Sequence, residues 1–437
     1  MTFPNASLFP DTAAVNAAGR LEIGGCDTAD LAVEFGTPLY LFDEDTLRGM
    51  CREFVGEFTR RYDNTRVAYA AKAFLNPAIA KVIKDEGLAL DVVSGGELAV
   101  AAAVDFPPES VYFHGNNKTP DELRMALDYG IGRVVVDGFS ELQLLDALAR
   151  EKGIVQNVML RLSPGVDPHT HAHTTTGTLD SKFGIPIETG DAAQAVRDAV
   201  RAPNLKLVGL HFHLGSPIFE LEPYSIAIDT VLTFAAELAP DGLELEEFSP
   251  GGGFAIGYVT EQPPPPIGDY AEVITSMLKR RCDDLGLGSP RLVVEPGRSI
   301  VGRAGVALYT VGAIKDIPGV RKYVSLDGGM GDNIRPALYG SEYEAVLANR
   351  ASDGPGEMVT LAGKFCESGD FLIRDIELPA LASGDIVAMP SSGAYAPAMA
   401  SNYNLNPRPA MVMVKDGSAR LIRRRESYKD MMLSDIF

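Results

Sequence analysis

Between about residues 45 and 300, apolar strand-like runs alternate with helical patterns eight times, and this alternation constrains the fold more than any other feature. The runs end near Lys72, Val93, His114, Asp137, Ser163, His213, Ser249 and Glu295. Helix-start chemistry follows several of them. Asn76-Pro77 sets an N-cap residue ahead of a proline at the first helical position. Ser94 with Glu97, Thr119 with Glu122, and Ser140 with Gln143 have the spacing of a capping box. Helical apolar periodicity runs from Asp121 to Tyr129 and from Glu141 to Lys152. Eight β/α units over about 250 residues predict an α/β fold, a (β/α)8 TIM barrel; an open doubly wound sheet is the runner-up.

After about residue 300 the texture changes. Val306–Val311, Lys322–Leu326, Met358–Ala362 and Asp385–Met389 read as strands bounded by Gly, Pro and Asp, with few long helical patterns between them. A mainly β domain, sandwich- or barrel-like, is expected there. The expected organisation is an N-terminal segment over 1–44 packing with the β domain, a barrel over 45–300, and the β domain over 301–437. Pro38–Phe42 is the N-terminal strand that could complete the β domain or lead into the barrel. The run from Pro263 to Pro266 is a surface loop.

Hydrophobic residues make up 46% of the 437, enough for a large core. The net charge of −20 argues against nucleic acid or an anionic membrane surface as partner. No uncharged apolar stretch approaches the roughly 20 residues that span a bilayer. Met1–Asn5 lacks the basic and apolar pattern of a signal peptide. Cys26, Cys51, Cys282 and Cys366 are scattered without metal-ligand or disulfide-framework spacing, so a reducing cytosol is the expected setting and no metal site is expected.

In a TIM barrel the active site lies at the C-terminal strand ends, so Lys72, Ser94, His114, Asp137, Arg161, His213, Gly251–Gly253, Glu295 and Arg298 converge on one mouth. Several of these positions, and others near them, admit more than one reading. Lys72 is an amine poised to bond a carbonyl cofactor, or a lysine snorkelling from a strand end. Gly251, Gly252 and Gly253 let backbone N–H groups approach a phosphate, or form a flexible turn. Ser216 donates to the same phosphate or caps a helix. His211 and His213 share a strand face, where an imidazole can stack on a flat cofactor, bind zinc, or sit as a core histidine. His169, His171 and His173 alternate in a Thr- and Gly-rich loop, read as a loop rather than a metal site. Glu295 holds a pyridine nitrogen protonated, or pairs with Arg298. In the β domain, Arg335 beside Tyr339 suits a carboxylate or lies at the surface. Cys366, flanked by acids, is a proton donor or inert rather than a thiolate nucleophile.

The motifs Tyr69-Ala70-Ala71-Lys72-Ala73, Asp91–Glu97, His211–Ser216, Gly251-Gly252-Gly253-Phe254, Glu295-Pro296-Gly297-Arg298, Asn333–Tyr339, Cys366-Glu367-Ser368-Gly369-Asp370 and Gly393-Ala394-Tyr395 occur in this order. Together they resemble the fold-type III, pyridoxal-phosphate-dependent basic amino acid decarboxylases, from about residue 25 to 430. The resemblance implies pyridoxal 5'-phosphate held covalently by Lys72, with His213 stacked on its ring and Glu295 on its ring nitrogen. Ser216, the glycine loop and Tyr395 would hold the phosphate. Arg298, Arg335 and Tyr339 would bind a distal substrate carboxylate, Glu367 a distal ammonium, and Tyr395 would also contact the substrate. Cys366 would come from the partner subunit of a homodimer with shared sites, as the candidate proton donor. The implied reaction is loss of the D-centre carboxylate of meso-2,6-diaminopimelate to leave L-lysine. Arginine- or carboxynorspermidine-type decarboxylases, a racemase of the same general fold and a non-catalytic homologue are the alternatives. One departure is noted: Ser249-Pro250 precede the glycine loop where many relatives carry an acid.

Overall fold

Eight parallel strands close on themselves in the computed structural model, which describes residues 3–167, 181–351, 354 and 356–436. His169, His171 and His173 lie outside the described residues. The strands are Thr65–Ala70, Ala89–Val92, Val111–Phe113, Arg133–Val136, Gln156–Ser163, Leu205–His211, Glu247–Gly251 and Arg291–Val294. Each ends within two residues of its expected position. Leu292 of the eighth pairs with Thr65 of the first, and Val134 of the fourth with Val158 of the fifth, so no edge is left open. Ala68, Ala89, Tyr112, Val135, Met159, Val208 and Val293, one from each of seven strands, form a buried cluster.

Caps fix where the helices begin. Asn76 Oδ1 accepts the Ile79 N–H at 2.9 Å, starting Pro77–Asp85 just beyond Lys72. Thr119 and Glu122 form a full capping box ahead of Pro120–Tyr129. Ser94 Oγ accepts the Glu97 N–H at 3.2 Å, while the Glu97 carboxylate takes the Val93 N–H. The expected Ser140–Gln143 box does not form. That helix already begins at Phe139, after an extended Gly138, and Glu141 Oε2 ties the turn by accepting the Asp137 N–H at 3.0 Å.

The chain divides into two compact units. One comprises Cys51–Ala255 and Pro265–Gly297, which is the barrel. The other comprises Met1–Met50, Ile256–Pro264 and Arg298–Phe437. This second unit is built on a nine-stranded sheet. Leu39–Asp43 lies inside it, antiparallel to Gly305–Ile317 and parallel to Ala410–Lys415. An N-terminal strand therefore completes the β domain. All five of its residues are buried, which is why it reads as a continuous apolar run rather than an alternating one. Leu41, Val306, Leu308, Ala388 and Val412 belong to the core behind it.

Asp332, in the loop that leads to Arg335, is buried in this unit. Its Oδ2 accepts the Gly329 N–H at 2.9 Å, and Tyr40 Oη donates to its carbonyl at 2.7 Å. Burial pushes its carboxyl up to about 7, against the Gly329 hydrogen bond and with the negative charge of Asp327 adding to the rise. A raised acid destabilises the fold as pH climbs from the unfolded value of 3.8 through the folded value of about 7. Asp332→Asn is therefore expected to raise Tm most at pH 7 and above, with the gain fading toward pH 4. Calorimetric scans across that range check it; a gain that does not vary with pH would contradict it.

Candidate active site

The last three strands bring Glu295 and its partners to the floor of the barrel mouth. His211 closes the sixth strand, Ser249 lies opposite it in the seventh, and Glu295 follows Val294 of the eighth. Glu295 is buried, yet its Oε2 lies 3.0 Å from His211 Nε2 and its Oε1 accepts the Ser249 hydroxyl at 2.9 Å. Burial alone would raise its pKa. The adjacent His211 imidazole and the hydrogen bonds from His211 and Ser249 outweigh that and hold it below the usual carboxylate range. Asp91, at the end of the second strand, takes the opposite state. Burial and then the charge of Glu295 push its pKa well up. His114 Nε2 sits between them, 3.7 Å from Asp91 Oδ1 and 3.5 Å from Glu295 Oε1, and burial keeps this ring neutral. Among the described residues, Asp91 Oδ1, His114 Nε2 and His211 Nδ1 are buried polar atoms without a hydrogen-bond partner.

Gly251, Gly252 and Gly253 are not a loose turn. A Cβ on Gly252 would stand 2.1 Å from the Glu295 carbonyl oxygen. At Gly251 and Gly253, with φ of +74° and +114°, it would stand 2.6 Å from the Phe212 and 2.7 Å from the Gly215 carbonyl oxygens. The Gly252 N–H donates to His213 Nδ1 at 3.3 Å, which places the proton of the neutral ring on Nε2. Burial and the positive charges of Lys72 and Arg161 hold the His213 pKa well down. Ser216 follows in the same loop and is exposed.

Lys72 sits in a single 3-10 turn, Ala71–Ala73, just past the first strand, with its side chain exposed between buried alanines. Its charge acts on Asp91, His114 and His213. Arg161 reaches the same field from the fifth strand, with Nε 3.7 Å from Asp137 Oδ1 and its guanidinium 4.4 Å from the Phe183 ring centre. Beside it is a buried ion pair that no local sequence pattern announces. Lys118 Nζ bonds Glu141 Oε1 at 2.7 Å and the carbonyls of Gly115 and Val135.

The second unit gathers a different set. Arg298 and Arg335 are both buried, and Arg298 Nη1 donates to Tyr258 Oη at 2.6 Å. Arg335 Nη1 donates to the Tyr343 hydroxyl oxygen. Tyr395 lies under the Arg298 guanidinium at 4.7 Å and has φ of +64°, a strained conformation for tyrosine. Tyr339, one turn on from Arg335 in the helix Arg335–Tyr339, is 64% exposed. Cys366 and Glu367 lie on an exposed turn between Glu357–Ala362 and Phe371–Leu378. Cys366 N–H bonds Asn404 Oδ1 and Glu367 Oε1 bonds Ser368 and Gly369; neither residue bonds Arg335. Tyr258 and Tyr343 were not anticipated.

The pyridoxal-binding domain of the pyridoxal-dependent decarboxylases matches residues 48–302. Diaminopimelate decarboxylase of Bacillus subtilis is 45% identical over 426 residues, 97% of each chain. The enzyme of that name from Mycobacterium tuberculosis is 42% identical over 440 residues, 98% of each chain. The chain belongs to the diaminopimelate decarboxylase family. Among solved structures, diaminopimelate decarboxylase from M. jannaschii in complex with L-lysine superposes with a TM-score of 0.92 at 37% identity, covering 98% of both chains. Lysine/ornithine decarboxylase from Vibrio vulnificus reaches 0.75 at 25% identity, covering 89% of this chain and 98% of that one.

Pyridoxal phosphate is the family's cofactor, and the barrel mouth fits it. A buried anion with two donors already in place suits a protonated ring nitrogen, and the unpartnered atoms of Asp91, His114 and His211 mark a polar floor still short of hydrogen bonds. Glu295 is met by His211 and Ser249. Ser249 itself explains the missing acid before the glycine loop, because its hydroxyl both donates to Glu295 and accepts the Gly251 N–H. Gly252→Ala is expected to push the loop off the Glu295 backbone and weaken cofactor binding at least about tenfold. Absorbance titration of the apoprotein with pyridoxal phosphate checks this; wild-type affinity would contradict it.

Proposed function

We propose that this chain decarboxylates meso-2,6-diaminopimelate at its D-centre to L-lysine and carbon dioxide, with pyridoxal 5'-phosphate as cofactor. The observation that carries the substrate is Arg335. It is buried and, among the described residues, makes its hydrogen bond to a phenol rather than a carboxylate. A substrate with a second carboxylate would complete it, whereas one with only a distal ammonium would leave a like charge against it. That disfavours the lysine- or ornithine-type reading.

When bound, the cofactor supplies an electron sink for the pair left as the Cα–carboxylate bond breaks. Lys72 would hold it through its amine and Glu295 would keep its ring nitrogen protonated. His213 would stack on the ring, and Ser216, Gly251–Gly253 and Tyr395 would hold the phosphate. Arg298 and Arg335, with Tyr339 and Tyr395, would bind the distal carboxylate, and Glu367 the distal ammonium. Cys366 would return one proton to Cα, replacing the lost carboxylate. Because Cys366 and Glu367 are exposed and do not bond Arg335, we assign them to the site of a second copy, making the enzyme a homodimer with shared sites. The proposed setting is the cytosol: all four cysteines are free, and among the described residues no helix is long and apolar enough to cross a membrane.

The test is carbon dioxide release from meso-diaminopimelate, dependent on added pyridoxal phosphate, with L-lysine identified as product. A protein that binds the cofactor but releases nothing from this substrate would overturn the reading. Lys72→Ala is expected to leave no more than a few per cent of turnover. Mixing inactive Lys72→Ala and Cys366→Ala subunits is expected to restore about a quarter of wild-type activity, since half the dimers then carry one intact site of two. No recovery on mixing would rule out shared sites.

A further inference from the structure

Arg335 and Arg298 share an aromatic wall. The Arg335 guanidinium carbon lies 4.4 Å from the Tyr258 ring centre and 5.5 Å from that of Tyr343, and its Nη1 donates to the Tyr343 oxygen. Tyr258 also faces Arg298, at 5.7 Å, and accepts its Nη1 hydrogen bond. The Tyr258 and Tyr343 rings meet edge to face, with centres 5.2 Å apart and planes at 76°. Tyr343 is 3% exposed and Arg335 6%.

A buried guanidinium is normally held by a carboxylate, and a carboxylate would neutralise it. Phenols do otherwise. Their oxygens satisfy N–H groups and their ring faces attract the cation, but they carry no charge to cancel it. The wall also fixes the guanidinium plane before any ligand arrives, which removes an ordering cost at binding. Tyr339, the tyrosine nearest in sequence to Arg335, takes no part in this wall.

We propose that Tyr343 and Tyr258 are positioning residues that set substrate specificity, holding Arg335 at full charge and in a fixed plane for the substrate's distal carboxylate. This rests on the assignment of Arg335 to that carboxylate. Tyr343 acts through its hydrogen bond to Arg335. Tyr258 acts through its ring face on Arg335 and its hydroxyl on Arg298.

L-lysine keeps the distal carboxylate, and cadaverine is the same chain without it. Calorimetric titration of the holoenzyme with each ligand separates the carboxylate from everything else. Tyr343→Phe is expected to weaken L-lysine about tenfold and cadaverine less than about twofold. Tyr258→Leu is expected to do the same, with Tyr258→Phe recovering most of the loss because it keeps the ring face. With meso-diaminopimelate, KM should rise by the same factor while kcat changes less, as for a contact kept from ground state to transition state. Arg335→Ala is the control. If it narrows the gap between L-lysine and cadaverine while Tyr343→Phe and Tyr258→Leu do not, the positioning role is wrong and the arginine assignment stands. If Arg335→Ala leaves the gap unchanged, the carboxylate assignment falls and this proposal with it. Tyr343→Phe removes one oxygen from a packed ring, so it tests the hydrogen bond even if Tyr258→Leu fails to fold.

Discussion

The Glu295 carboxylate, ionised although buried, is the constraint on which the barrel mouth depends. A buried anion survives only if donors replace its water, and those donors come from strand register. His211 and Ser249 are register partners on adjacent strands, so the two donors arrive side by side where the eighth strand delivers Glu295. With that anion in place, its neighbours have little freedom. Asp91 is pushed toward its neutral form and His114 stays neutral between the two carboxyls. Two acids in one floor thus take opposite states, the arrangement that assigns different roles to chemically similar groups.

The structure holds buried charge in three ways, and the differences carry functional meaning. Lys118 is saturated by Glu141 and two carbonyls, so it ties strand ends together and has nothing left for a ligand. Glu295 is held by the His211 ring and the Ser249 hydroxyl and keeps its charge. Arg335 is held by phenols and also keeps its charge. Net charge that is buried and kept, rather than cancelled, is costly and is retained where a ligand will use it.

The barrel was legible in the sequence because its signals are local. Apolar runs of strand length, Asn76-Pro77, and Thr119 with Glu122 each fix a boundary through contacts a few residues apart. Ser140 with Gln143 misled because the spacing is right but Gly138 and Glu141 start the helix earlier. The placement of Lys72, His213 and Glu295 just past strand ends was equally legible, since placing the strands places their ends. The aromatic wall was not. Tyr258 falls in a segment, Ile256–Pro264, that leaves the barrel's sequence run to join the other unit, and no periodicity announces such a departure. Tyr343 lies beyond the short helix Arg335–Tyr339, and only folding decides which of two nearby tyrosines turns inward.

That choice bears on how the site is completed. The tyrosine turned inward, Tyr343, serves Arg335 within the chain, whereas Tyr339 and the adjoining Leu338 remain 64% and 55% exposed. The Cys366 turn is likewise exposed but not slack. Its backbone is bonded to Asn404, Phe365 stacks on Tyr403 with ring centres 6.1 Å apart, and Asp370 Oδ2 accepts the Phe365 N–H at 2.9 Å. A turn that is held this firmly presents a thiol and a carboxylate to solvent beside exposed Tyr403 and Leu405, which suits the docking surface proposed above. The proposed second copy meets that requirement, because two-fold symmetry gives each chain's exposed residues a counterpart without any new sequence. With that proposed copy in place, specificity would be divided between the proposed carboxylate pocket of one chain and the proposed ammonium contact of the other, so that a substrate bearing both charges would be recognised by both chains.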